Sequence, residues 1–173
     1  MLRVVDIQTV SIAIASAGVF VAAVYYILQI RHQARVRQTD LVMKLYSEYG
    51  SKEFLEAYSK FFSLEFEDYN DFRGKYPKTA FTKAPAWIET PPWVGYHVVC
   101  MFYERVGNLL HRKLIDIELV DDLMSSYIKN DWEKAKPIVE GMRKEDNVRY
   151  YEWFEYLYNE ITKREHKLQR SKV

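Results

Sequence analysis

An all-α fold is predicted for this sequence: one N-terminal transmembrane helix that continues into a bundle-like cytoplasmic domain of about five to six helices. Three features of the 173 residues predict it. Positions 7 to 30 carry no charged side chain. From Leu41 onward apolar residues recur at helical spacing, with no stretch of strand-like alternation. Gly 6 and Pro 5 are too few for a turn-dense β fold or a long linker.

The uncharged run extends from Ile7 to Ile30, between Asp6 and Arg31. At ~1.5 Å per residue its helix reaches roughly 36 Å, more than the ~30 Å hydrocarbon layer. Tyr25 and Tyr26 suit an interfacial aromatic belt near its far end. A cleavable signal peptide needs a basic leader, a shorter apolar stretch and a small-residue site after that stretch. Here only Arg3 precedes the run, its Ala-x-Ala patterns lie inside it, and bulky Ile27 and Leu28 close it, so a retained anchor is expected.

The cationic side chains Arg31, Arg35 and Arg37, with His32 among them, follow directly. The positive-inside bias then places the C-terminal part in the cytoplasm of a plasma-type inner membrane, with the N-terminus outside and those arginines at lipid headgroups. The expected organisation is a short extracytoplasmic tail over 1–6, the membrane helix over 7–30 and a basic, amphipathic juxtamembrane helix over 31–50. A helical cytoplasmic domain over 51–168 and a basic tail over 169–173 complete it. Within the span, Ser11, Ala15, Gly18 and Ala22 fall within about 60° of one another on a helical wheel, a face on which a second copy's helix can approach closely. Gln29 continues that stripe.

Leu41, Val42, Leu45, Tyr46 and Tyr49 prolong the helical pattern without a break, up to a stop at Gly50. Ser51 is the expected cap of a second helix, whose apolar face is Phe54, Leu55, Tyr58, Phe61 and Phe62. Residues 63–90 are irregular, apart from a short helix over Tyr69 to Tyr76 capped by Asp68. A long core helix follows to about Lys113, with Thr90 as cap and Pro91 in its first turn. Its apolar stretch, Trp93 to Tyr103, is too short to span a bilayer.

Asp116 caps the next helix, Ile117 to about Ile128. A separate segment opens at Asn130 with Glu133, starting late or kinking at Pro137, and ends at Lys144. The last helix runs from Asn147 to about Lys167 with Tyr150, Tyr151, Trp153, Phe154, Leu157, Tyr158 and Ile161 on its apolar side.

Charge narrows the partners. The formal net charge is +1, yet residues 38–162 hold 16 Lys and Arg against 22 Asp and Glu. An acidic body does not suit phosphate neutralisation, so no nucleic acid is expected. The lone Cys100 excludes an internal disulfide and, in its apolar setting, reads as a packed thiol.

One polar constellation stands out. His97, Glu104, Asn108 and His111 share a face of the core helix, with Arg105 beside them. A His–Glu–His row invites a metal or acid–base reading, but its members are seven residues apart, roughly 10 Å along the axis, and one ion needs ligands a turn apart. A polar face between helices is the simpler expectation. No catalytic residue, metal ligand or cofactor is assigned.

The segments FYERVGNLLHRKLIDIELV (102–120), Trp132 with PIV (137–139), YYEWFEYL (150–157) and AGVFVAAVYYILQIRHQARVRQ (17–38) resemble a prokaryotic domain-of-unknown-function family. Its members are small single-pass membrane proteins with a basic patch after the membrane helix and a helical cytoplasmic domain. The resemblance implies topology and fold and transfers no catalytic residue. The expected role is a protein-interaction, adaptor or regulatory module, with the lipid bilayer, an unidentified protein and a second copy as partners. Two alternatives are a membrane-tethered enzyme or metal site centred on Glu104, and an oligomerising stress or defence effector.

Overall fold

A computed structural model describes residues 6–76, 92–146 and 148–170. Among the described residues there are six helices and no strand: α1 (Ile7–Tyr49), α2 (Lys52–Phe62), α3 (Tyr69–Lys75), α4 (Pro92–His111), α5 (Ile117–Glu145) and α6 (Glu152–Arg170). The chain divides into two compact units, one up to Asp40 and one from Leu41. The expected cap Thr90 and first-turn Pro91 of the core helix, the start of the last helix at Asn147, and the end of the basic tail lie outside the described residues.

The first unit is the leading part of α1. It is long and apolar enough to cross a membrane, and a signal sequence near an N-terminus has the same composition. Its large apolar side chains are exposed, among them Ile12, Val19, Phe20 and Leu28. The Ser11 hydroxyl donates to the Ile7 carbonyl at 2.9 Å, satisfying itself within the helix.

In the second unit the last turns of α1 bury Val42 and Leu45. Ser51 then caps α2, its side chain accepting the Phe54 amide at 3.2 Å. The Asp68 carboxylate caps α3 by accepting the Asp71 amide at 2.9 Å. Asp116 caps α5 through the Glu118 amide at 2.8 Å. Each local signal is a short polar side chain satisfying an amide that the first helical turn leaves unpaired.

Around one core, α2 packs on α4, α4 on α6, α6 on α5 and α5 on α3. Fully buried Phe61, Phe102, Tyr103, Met124, Ile128, Phe154 and Leu157 fill it. Its aromatic content is high enough that rings contact rings directly: Tyr103 stacks on Phe154 with centroids 4.6 Å apart, and Phe54 meets Phe102 at 4.9 Å.

Two local expectations are corrected. The segments expected on either side of Asn130 are one 29-residue helix, α5, with Pro137 inside it. Val120, Met124, Ile128, Trp132, Ala135, Ile138 and Val139 form an unbroken buried stripe through that region, and its burial outweighs the hydrogen bond that Pro137 cannot donate. The second correction concerns Tyr150 and Tyr151, which belong to a turn before α6 rather than to its apolar face. Tyr151 adopts a left-handed conformation, φ 52°, and is buried.

Lys113 is the other non-glycine residue with positive φ, 57°. It terminates α4: its amide donates to Leu110 O at 2.9 Å and the Leu114 amide reaches back to Leu109 O at 3.0 Å. That pairing is a Schellman motif, whose left-handed position favours glycine. Lys113→Gly is therefore expected to raise stability by about 0.5–1 kcal/mol, read as a higher urea midpoint with unchanged slope.

Candidate functional site

The polar face of α4 meets the start of α6. The Glu104 carboxylate accepts the backbone amides of Trp153 at 3.0 Å and Phe154 at 2.9 Å, so it caps α6 from another helix. Burial pushes its pKa up, and those two amides and nearby Arg143 oppose the shift. Three residues further along α4, Gly107 lies against the Trp153 backbone, where a β-carbon would overlap the carbonyl. The His111 ring packs on Trp153 with centroids 4.3 Å apart and on Tyr156 at 5.3 Å. At the other end of the row, His97 Nδ1 lies 2.8 Å from the Tyr151 hydroxyl, and burial lowers the histidine's pKa.

Asn108 of the row and its neighbour Arg105 point elsewhere. Arg105 pairs with Glu48 near the end of α1 and lies over the Phe102 ring, 5.9 Å from its centroid. Asn108 accepts a hydrogen bond from Arg112 Nε at 3.0 Å within its own stretch of chain. Glu104 and His111 thus converge on the N-terminus of α6, whereas Arg105 and Asn108 do not. Among the described residues, no group of three or more His, Cys, Asp or Glu side chains comes together to hold a metal ion.

In the first unit, Ser11, Ala15, Gly18 and Ala22 are all exposed along α1, and a β-carbon at Gly18 would meet nothing within 4 Å. Arg31, Arg35 and Arg37 are exposed further along the same helix. Cys100 is buried, and burial pushes its thiol pKa well up, which disfavours the thiolate.

The sequence reading did not single out Asp131, the one buried charged side chain among the described residues. Tyr103 donates to its Oδ2 at 2.7 Å and Tyr58 to its Oδ1 at 3.0 Å. Burial pushes its pKa from 3.8 up to about 6, while the two hydroxyls and Lys134 hold it down. Tyr49, at the end of α1, is pushed up to about 12, first by burial and then by this same carboxylate. The available signal was the apolar stripe of α5, which passes directly through position 131 between Ile128 and Trp132.

An open cleft of about 570 Å³ lies where the end of α2, α3 and α5 meet, lined by Glu65, Glu67, Lys75, Glu133 and Lys134 with apolar Leu64, Phe66 and Pro137. Its cations are already engaged. Lys134 donates to the Phe62 carbonyl at 2.7 Å and the Leu64 carbonyl at 3.0 Å, closing the end of α2. Lys75 donates to Asp71 at 2.8 Å.

Residues 12–161 match the profile of a family described as "Domain of unknown function (DUF4760)". No curated protein and no solved structure matches the chain.

Proposed function

The chain belongs to the DUF4760 family of domains of unknown function, and on that footing we propose that it is a single-pass membrane-anchored helical module. In this reading residues 7–30 cross the bilayer, Arg31, Arg35 and Arg37 sit at cytoplasmic headgroups, and the domain from Leu41 serves as an adaptor or regulatory subunit for another protein or a second copy. The observation that carries it is the contrast within α1. Its leading part keeps large apolar residues exposed in an unbroken run, while its last turns bury Val42 and Leu45 in a packed core. Exposed apolar surface of that extent is unfavourable in water and neutral in lipid. The arginines that follow the run favour the inward orientation of the domain.

The test separates a retained anchor from a cleaved leader. The full-length protein is expected to stay with alkali-washed membranes at its complete mass, and a C-terminal epitope is expected to resist protease added to unbroken cells. Recovery of the intact chain in the aqueous fraction, or of a membrane-free form lacking the first thirty or so residues, would remove the anchor. A cleaved epitope would reverse the orientation. Within the same preparation, Gly18→Ile is expected to weaken a crosslinked dimer formed through the Ser11–Ala15–Gly18–Ala22 face.

A further inference from the structure

A buried carboxylate with no cation bonded to it is an expensive group to keep in a core. Asp131 is 0% exposed, and each of its oxygens accepts a tyrosine hydroxyl from a different helix: Tyr58 of α2 and Tyr103 of α4. Tyr49, in the last turn of α1, brings a third hydroxyl under the influence of the same charge. Its ring packs on Phe54 at 4.9 Å, Phe102 at 5.7 Å and Tyr127 at 5.4 Å, so the hydroxyl cluster sits inside an aromatic shell.

The surrounding groups supply little to stabilise the charge. From α5 itself, Lys134 acts on the carboxylate at a distance, and its ammonium is committed to two backbone carbonyls at the end of α2. From α4, the Cys100 thiol also feels the charge and is itself held protonated by burial. From α6, the neighbour is the apolar ring of Phe154 stacked on Tyr103. Among the described residues, α3 places no titratable group on Asp131.

We propose that this cluster is a proton-responsive latch, in which protonation of Asp131 tightens the seat of the last turn of α1 among α2, α4 and α5, and ionisation loosens it. A protonated Asp131 removes the buried charge and keeps oxygen lone pairs for the tyrosines. It also gains one O–H donor beside the Tyr58 and Tyr103 hydroxyls, either of which can turn to accept it. The latch stands whether or not the leading part of α1 crosses a membrane, because every group in it lies in the unit that begins at Leu41.

The sign follows from the direction of the shift. The folded-state pKa is raised, so the stabilisation is complete below the ordinary value of 3.8 and is lost as pH rises through about 6. That interval caps the change in the tight-to-loose ratio at roughly a hundredfold.

Hydrogen exchange on the full-length chain in detergent or nanodiscs, corrected for intrinsic rates, tests it at about pH 5 and about pH 7.5. The amides of the last two turns of α1 are expected to be better protected at the lower pH by a factor approaching about ten, the limit that the shift from 3.8 to about 6 sets over this interval. In Asp131→Asn that difference is expected to vanish. Equal wild-type protection at both pH values, or an Asn variant that retains the full response, overturns the latch. If the Asn variant does not fold, Tyr103→Phe decides. It removes a hydrogen bond that favours the ionised form, so the midpoint of the response is expected to move to higher pH, and an unmoved midpoint overturns the proposal.

Discussion

Gly107→Ala is expected to destabilise the helical domain by about 3 kcal/mol or more, close to the upper end of ordinary overpacking costs. In an exposed helix the same exchange would be favourable by about 1 kcal/mol, because alanine loses less backbone entropy than glycine. Here the added β-carbon would overlap the Trp153 carbonyl and crowd that residue's backbone, and backbone at the start of α6 cannot rotate away as a side-chain tip can. The start of α6 is also fixed by two hydrogen bonds to Glu104, so α4 and α6 must move apart as rods.

Gly141→Ala supplies a second close approach. Its β-carbon would overlap the Tyr69 Cγ and Cδ1 and come within 2.5 Å of the Tyr69 Cβ, and that Cβ is fixed to the backbone of α3, so the short helix must shift to admit it. Its cost is expected to be about 2 kcal/mol, below that of Gly107→Ala because a seven-residue helix is displaced more easily than α6. Gly18→Ala, with nothing near the new methyl, is expected to leave the domain's stability unchanged. Thermal unfolding of the full-length protein by circular dichroism ranks the three. Equal midpoints for Gly107→Ala and Gly18→Ala would refute the close approach of α4 to α6.

That close approach marks the boundary between what local patterns carry and what they do not. Ser51, Asp68 and Asp116 are legible as caps because a cap is satisfied within three residues of itself. The apolar run of α1 is legible because it depends on composition alone. Glu104 caps a helix 49 residues further along, and no helical wheel of α4 contains that partner. The turn at Tyr150 and Tyr151 follows from the same long-range contact: with Glu104 satisfying the amides of Trp153 and Phe154, α6 starts there and not earlier.

Pro137 misleads for the opposite reason. Its local preference against a helix interior is real, about 3 kcal/mol by propensity, yet the buried stripe from Val120 to Val139 lies on both sides of it and outweighs that cost. Asp131 was illegible as a site because its hydroxyl partners lie 28 and 73 residues away, on helices whose own patterns present Tyr58 and Tyr103 as ordinary apolar-face aromatics. In sequence, the residues on this face of α5 are apolar on each side of it. A single carboxylate there is legible as an exception but not as part of a cluster.

Glu104→Ala is expected to cost about 3 kcal/mol, since it removes a charged acceptor and leaves the Trp153 and Phe154 amides without it at the N-terminus of α6. A carboxylate at that end also gains from the helix dipole, which the alanine forfeits. Glu104→Gln is expected to stay within about 1 kcal/mol of wild type, because the amide oxygen can still accept from the same two donors and the charge that burial opposes is gone. The pair of variants separates hydrogen bonding from charge. The pH dependence sharpens the distinction. Burial raises the folded-state pKa of Glu104 above its ordinary 4.5, so its contribution is complete below that value and declines as pH rises through the raised one. Wild type is therefore expected to lose stability relative to Glu104→Gln on going from acid to neutral pH, in denaturant titrations at each pH. If instead wild type gained on the glutamine variant over that range, the carboxylate's charge would dominate over its burial. If the alanine variant matched both, the cap would contribute nothing, and some other contact would have to hold α6 against α4.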